Sequence, residues 1–517
     1  MQLIEFFDRG VTLNPGGPAF VSADRQESWN YREAADLTHR IAAALTRDGF
    51  GAEAPVAVLS PNSCLMFGCV LGIARAGCAW VQVNARSTAA DVAAFLQAVD
   101  CEALLFASGL ADVADDVRSR CPDLRLTVAI EGEVPGAISL PEWLAPEGAT
   151  IPLPKLDPEA IVALNATGGT TGRPKAVEVP NRAMETMIHG FNAHMPERNP
   201  VHLVAAPMTH AAGAAILPVL SQGGVNVVHN GVVAADIFES IERNQVTRLF
   251  LPPTAIYTLL AHPDSRTRDL SSLRYFLYAA APMSVDKLIE AMEVFGPVMT
   301  QCFGQAEAPM LCTFMGTEEH AEAKANPALR HRLASCGRSS LVADVRIMDE
   351  DDQLLGLGER GEIVVRSSLT MRGYRGDEQS STLRPGDWHG TGDVGYIDED
   401  GYVYIVDRAR DVIISGGFNV FPSEVEQVIW SHPSVFDCAV IGLPDEKWGE
   451  RVTAVVELKD GERIDGDALI ALCKERLGSV KAPKQIIVRD LPRSHVGKVL
   501  KRDLREEYWA ERVDRKV

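Results

Sequence analysis

The sequence predicts an α/β protein with buried, largely parallel sheets, followed by a β-rich part and a small separate α+β domain. Three observations carry this prediction. Through the first 260 residues, stretches with helically spaced apolar residues alternate with short β-prone runs. From about Ala334 the runs become hairpin-like, with acidic turns between them. After Arg408 the order strand, helix, strand, helix returns.

Along the chain, YREAADLTHRIAAALTRDGF repeats its apolar residues at three- and four-residue intervals, the spacing of a helix with one buried face. APVAVLS, EALLFA, LTVAI and HLVAAP are short apolar runs of the kind found in strands covered on both faces. Farther on, ADVRIMDEDDQLL, GEIVVRSS and DVGYIDEDGYVYIVD surround acidic turns, and Asp-Glu-Asp-Gly supplies residues that tolerate positive φ, so hairpins are predicted. VIISGG, PSEVEQVIWSH, VFDCAVIGL and GDALIALCKERLG make up the last domain. No internal repeat or low-complexity tract occurs.

A chain of 517 residues exceeds what one core organises, so two or more domains are expected, and 46% hydrophobic content is ordinary for a globular protein. A formal charge of −20 argues against nucleic acid as a partner, because phosphate backbones are held by clustered Lys and Arg. The basic stretch from Lys474 to Lys516 is interspersed with Glu475, Asp490, Asp503, Glu506 and Glu507, and reads as a solvated helical face. The ten cysteines form no CxxC pair and no zinc-ligand spacing with His, so they are expected to be reduced and buried. MQLIEFFDRGV places Glu5 and Asp8 where a signal peptide would be basic and then apolar. The longest apolar run, CLMFGCVLGIA, stops at Arg75, short of the roughly 20 residues of a membrane span. A cytoplasmic protein without a transmembrane segment is the expectation.

Two glycine-rich stretches invite a phosphate. GLGERG, with Gly356, Gly358 and Gly361, has dinucleotide-fold spacing but leads into the strand EIVVRS rather than a helix, so these glycines are read as turn residues. NATGGTTGRPKAVEV, from Asn165 to Val179, is not a Walker loop either: its lysine does not follow a glycine, and a strand-like AVEV stands behind it. Even so, Gly168, Gly169 and Gly172 let the backbone close around an anion, Thr167, Thr170 and Thr171 offer hydroxyls, and Lys175 offers charge.

Downstream come CFGQAEAPM from Cys302, HGTGDVGYIDEDGYVYIVDRARDVIISGGFNVFPSEVE from His389, and PRSHVGKVLKRDLRE from Pro492. In order and approximate spacing these four motifs resemble the AMP-forming acyl-CoA synthetases of the adenylate-forming superfamily, which also holds firefly luciferase and peptide-synthetase adenylation domains. The resemblance spans nearly the whole chain. It implies a large N-terminal domain of stacked α/β sheets plus a β-rich subdomain, residues 1–409, and a small mobile α+β C-terminal domain, residues 410–517. It also implies that ATP, Mg2+ and coenzyme A are used on a small-molecule carboxylic acid by a monomer or homodimer.

By that resemblance the loop from Thr167 to Gly172, with Lys175, would hold the β- and γ-phosphates. Glu307, with Thr170, would bind magnesium. Ala280, Ala281 and Pro282, and Cys302, Phe303, Gly304, Gln305 and Ala306, would line the nucleotide. Asp393 would take the ribose hydroxyls with Arg408 nearby, and Lys498 would reach the carboxylate and the α-phosphate. His210 would stand between nucleotide and acyl tunnel, and Ala211 after it, where amino-acid-activating relatives carry an aspartate, favours a simple carboxylic acid. Gly416 and Gly417 would let pantetheine pass close to the backbone once the C-terminal domain rotates about a hinge at Arg410.

Two positions depart from the family's pattern. Phe303-Gly304-Gln305-Ala306-Glu307 lacks the threonine of the usual Tyr-Gly-x-Thr-Glu, and Ala279-Ala280-Ala281-Pro282 replaces Gly-Gly-Ala-Pro. The missing hydroxyl leaves a second expectation open, an enzyme that only thiolates supplied acyl-AMP, and a third, a non-catalytic nucleotide-binding relative.

Overall fold

The computed structural model describes residues 1–167, 175–376, 382–408, 411–445, 448–493 and 499–513. Two large sheets form the N-terminal part. A nine-stranded sheet runs, in spatial order, Arg338–Ser339, Ala308–Met315, Met299–Gln305, Tyr275–Tyr278, Arg248–Leu251, Val201–Val204, Val225–Val228, Pro18–Ser22 and Ser28–Asn30. Its middle is parallel and its margins antiparallel. An eight-stranded sheet runs Gly373–Tyr374, Lys175–Pro180, Ile161–Thr167, Ala79–Gln82, Pro55–Leu59, Ala103–Phe106, Leu126–Ala129 and Ile138–Ser139. It is parallel except at the first two pairings.

The two sheets share one core, which gathers Phe20, Leu203 and Phe276 from one and Val56, Leu105 and Val177 from the other. Between them lies the helix Cys64–Arg75, the apolar run of the sequence, almost wholly buried. Its capping residue Ser63 accepts from the Met66 amide, which satisfies one of the donors a helix start leaves open. The predicted helix appears as Tyr31–Arg47, with Asn30 and Glu33 forming a reciprocal capping box. All ten cysteines are free and buried. Among the described residues no helix is long and apolar enough to cross a membrane.

The predicted hairpins form a five-stranded antiparallel sheet of Asp344–Met348, Gly361–Arg366, Trp388–Ile397, Leu383–Arg384 and Val403–Arg408. Gly356 and Gly358 precede the strand Gly361–Arg366, as the rejection of a dinucleotide motif requires. The C-terminal sheet comprises Phe418–Val420, Ile413–Ser415, Gly449–Leu458, Val435–Asp445 and Gln485–Val488, with helices Pro422–Trp430 and Gly466–Lys481 packed on it. It keeps its own core of Val425, Ile429, Val440, Val452 and Leu469.

In the basic stretch, the helix Lys501–Val513 carries Arg502 on Glu506 at 2.5 Å, and its Glu507 takes Arg489, which lies outside the helix, at 2.8 Å. Lys501 departs from the predicted solvated face: its ammonium lies 2.7 Å from the buried carboxylate of Glu426. Burial pulls the Lys501 pKa down, but Glu426 and Asp407 together more than offset that, and the net shift is upward.

Four buried histidines, His202, His229, His320 and His389, are each held neutral, burial pulling the pKa from 6.5 to about 4. Unfolded imidazoles would take up protons between those values while the folded ones do not, so acid favours the unfolded chain. Thermal unfolding is therefore expected to show a level Tm between pH 6.5 and about 8 and a falling one from pH 6.5 toward 4. A Tm that rises on acidification across that window contradicts the neutral burial.

Candidate active site

The phosphate-loop stretch is framed by strands Ile161–Thr167 and Lys175–Pro180, antiparallel and closing on the pair Thr167 and Lys175. A strand, not a helix, follows the loop, as AVEV predicts. Gly168, Gly169, Thr170, Thr171 and Gly172 lie outside the described residues, as does the side chain of Thr167. Lys175 places its ammonium 5.0 Å from the centre of the Tyr374 ring, a cation over an aromatic face. Tyr374 belongs to the two-residue edge strand paired with Val177 and Glu178.

The Tyr374 hydroxyl donates to Glu307 Oε1 at 2.8 Å, and the Met371 amide donates to the Glu307 carbonyl at 2.7 Å. Glu307 sits in the two-residue turn between Met299–Gln305 and Ala308–Met315, just beyond the pair Gln305 and Ala308. Lys175 and Glu307, 132 positions apart in the numbering and on different sheets, are thus joined through one tyrosine. Nothing in the sequence motifs singled out Tyr374.

Several of the other predicted residues lie at the carboxyl ends of the parallel strands of the nine-stranded sheet, where ligands of such sheets bind. After Met299–Gln305 comes the turn with Ala306, and after Tyr275–Tyr278 come Ala280, Ala281 and Pro282. Phe303, Gly304 and Gln305 are half-buried, whereas Cys302 is buried and burial pushes its thiol pKa far up, so its sulfur is inert. After Val201–Val204 the chain reaches His210, exposed at the start of helix Ala211–Leu220, its Nδ1 3.0 Å from Thr209 Oγ1. Asn62 fixes this entry: its amide donates to the carbonyls of Ala206 and His229, at 2.9 and 3.1 Å, and its oxygen accepts from the Met208 amide at 2.9 Å. Asn62 was not read from the sequence, since its partners are 140 or more positions away.

Ala280, one of the two departures, has φ +75°. That is the left-handed region where glycine is at ease and a Cβ costs about 1 kcal/mol or more. The methyl that replaces the family's glycine is therefore carried at a backbone strain.

Asp393 is buried in Trp388–Ile397, opposite Arg408 in the register. Thr391 and Glu362 shape its approach: Thr391 Oγ1 donates to the Ile363 carbonyl at 2.7 Å, and Glu362 accepts from the Gly392 amide at 2.9 Å. Two residues before Thr391, the buried His389 lies 3.0 Å from the Gln305 amide nitrogen and 2.8 Å from Thr382 Oγ1. The side chain of Arg408, together with Arg410 and Lys498, lies outside the described residues.

In the C-terminal sheet Gly416 and Gly417 form the turn of the hairpin Ile413–Ser415 and Phe418–Val420, with φ of +61° and +81°. The Gly416 amide donates to the Trp448 carbonyl at 2.7 Å, and a Cβ at Gly416 would stand 2.9 Å from the Trp448 ring. Ile414 and Phe418 flank the turn, both exposed. The two domains meet beside Asp407, whose carboxylate accepts from the Ser423 amide at 3.1 Å at the start of helix Pro422–Trp430. Arg360, supplied by the GLGERG turn, pairs with Glu424 at 2.9 Å and lies 5.1 Å from the centre of the Phe421 ring.

A lysine and a carboxylate joined at the strand ends, a buried aspartate on the neighbouring sheet and a small domain carrying a glycine hairpin are the parts expected of an adenylate-forming enzyme. Residues 7–375 match the model of the AMP-binding enzyme family, residues 424–498 match that of the AMP-binding enzyme C-terminal domain, and the chain belongs to this family. It is 42% identical over 365 residues to the medium/long-chain-fatty-acid–CoA ligase FadD8 of Mycobacterium tuberculosis, covering 68% of this chain and 62%, less than two thirds, of that one. To the indoleacetate–CoA ligase of Aromatoleum aromaticum it is 30% identical over 513 residues, 98% of each protein. The solved amide bond synthetase McbA from Marinactinospora thermotolerans superposes with a TM-score of 0.88 at 29% identity, over 98% of this chain and 100% of that one. The family and its full-length relatives make the chain an AMP-forming acid–CoA ligase by class.

Replacing Ala280 by glycine removes the strained Cβ, and Ala280→Gly is expected to stabilise the fold by about 1 kcal/mol. Thermal unfolding of the two proteins side by side measures this, and a lower Tm for the glycine variant contradicts it.

Proposed function

We propose that this chain activates an apolar carboxylic acid as its acyl-adenylate with ATP and then passes the acyl group to coenzyme A, in the cytoplasm and as a monomer or homodimer. The observation that carries this reading is the Lys175, Tyr374 and Glu307 chain at the strand ends, within the same rim as His210. A carboxylate is a poor acyl donor, since its charge repels nucleophiles and oxide is no leaving group. Attack of the carboxylate on the α-phosphate expels pyrophosphate and leaves AMP on the acyl carbon, where a thiolate then displaces it. Both reactants of the first step are anions, so the protein's task is positioning and charge neutralisation.

In this reading Lys175 and the loop from Thr167 to Gly172 hold the β- and γ-phosphates, and Asp393 with Arg408 holds the ribose. Ala280, Ala281 and Pro282, with the segment from Cys302 to Ala306, line the nucleotide. Glu307, with Thr170, would bind magnesium: a single carboxylate is what this ion takes when phosphates and water complete its shell. When bound, the ion neutralises phosphate charge. Tyr374 orients the Glu307 carboxylate, and Lys498 reaches the acid and the α-phosphate. His210 marks the mouth of the acyl site, where the half-buried Ala211, Ala214 and Ala215 leave room for an apolar group. The relatives' names, fatty-acid and indoleacetate ligases, support an apolar acid. Gly416 and Gly417 give pantetheine a close backbone path after rotation of residues 410–517 about Arg410.

The likeness to an amide bond synthetase supports a second reading, in which an amine captures the acyl-adenylate. Pyrophosphate release across a panel of carboxylic acids, with coenzyme A or an amine as acceptor, tests both, and no release with any acid refutes them together. In this division of labour Lys498→Ala is expected to abolish acyl-AMP formation while sparing thioester formation from supplied acyl-AMP. Equal loss of both half-reactions contradicts it.

A further inference from the structure

The turn from Gln305 to Glu307 borders the phosphates in the reading above, and its middle residue offers them nothing: the Ala306 methyl packs against the main core. Gln305 is different. It is half-buried, it ends its strand in register with Ala308, and its amide nitrogen lies 3.0 Å from His389 Nε2. An amide NH2 only donates, so His389 Nε2 accepts and the ring proton sits on Nδ1, facing Thr382 Oγ1 at 2.8 Å. His389 is itself clamped: it is 3% exposed, it pairs in register with Val365 and Leu383, and the next amide, Gly390, donates to the Thr382 carbonyl at 2.8 Å. Fixing a free glutamine side chain costs rotamer entropy, and this clamp removes that cost in advance. One amide hydrogen of Gln305 is committed to His389, and among the described residues the other has no acceptor.

We propose that Gln305 donates this second amide hydrogen to a non-bridging oxygen of the α-phosphate during acyl-adenylate formation, with His389 and Thr382 as positioning residues. The inference rests on the adenylation reading of the site. It also accounts for Ala306: with a fixed donor one residue earlier, a side-chain hydroxyl at the turn is dispensable.

ATP–pyrophosphate exchange on the full chain, with the acid that performs best in a panel, reads the first half-reaction, and thioester formation from supplied acyl-AMP reads the second. Gln305→Ala is expected to slow exchange by about 10- to 100-fold, mainly in kcat, while thioester formation stays within about two-fold. The double variant Gln305→Ala with Ala306→Thr restores a nearby donor and is expected to recover most of the loss. His389→Phe is expected to slow exchange less than Gln305→Ala, and to add nothing in the Gln305→Ala background, which a merely structural histidine would not do. Exchange by Gln305→Ala within about two-fold of the parent, or equal loss in both half-reactions, overturns the proposal and leaves the adenylation reading standing. No exchange by the parent with any acid overturns the adenylation reading itself, and this inference with it.

Discussion

The hydrogen bond from the Tyr374 hydroxyl to the Glu307 carboxylate is the contact on which the site depends. The lysine-bearing strand belongs to one sheet and the carboxylate-bearing turn to the other, so no local rule of strand or turn geometry brings their charges together. A two-residue strand does so: Gly373–Tyr374 pairs antiparallel with the Lys175–Pro180 strand, the Met371 amide holds the Glu307 backbone, and Arg372 pairs with Glu178 at 3.1 Å. The carboxylate is thereby set at a fixed place relative to Lys175 before any anion arrives. Preorganised charge costs no rearrangement at the moment of reaction, which is why such an arrangement suits chemistry between two anions.

The same logic recurs at the seam between the domains. Asp407, at the end of the antiparallel sheet, accepts from the first turn of helix Pro422–Trp430, where the unsatisfied amides favour an anion. The interior of the C-terminal domain holds Glu426, whose pKa burial raises, balanced by Lys501. Contacts across the seam include Arg360 on Glu424, Arg360 over the Phe421 ring and the Ser423 amide on Asp407. Each part keeps an apolar core of its own.

Much of this protein was legible in its sequence because the relevant signals are local. Apolar periodicity marked helix Tyr31–Arg47, short apolar runs marked the parallel strands, and Asp-Glu-Asp-Gly marked the hairpin leading to Val403–Arg408. The glycine-rich stretch itself offered Lys175, whereas Glu307 and Asp393 were candidates through the family resemblance of their motifs. The strand Pro18–Ser22 was harder: it lies parallel to Val225–Val228, some two hundred residues on, and nothing near it announces that partner. Lys501 read as one more surface lysine, and only packing against Glu426 made it an interior charge.

The sequence by itself determined the class of fold, the order of its parts and the residue types available for acid activation, because each of these follows from spacing along the chain. Tertiary structure alone decided that Tyr374 joins Lys175 to Glu307, that Asn62 holds the approach to His210, and that His389 immobilises Gln305. Those partners come from distant segments, and a hydrogen bond is specified by where two side chains end in space, which no period or motif of either segment encodes.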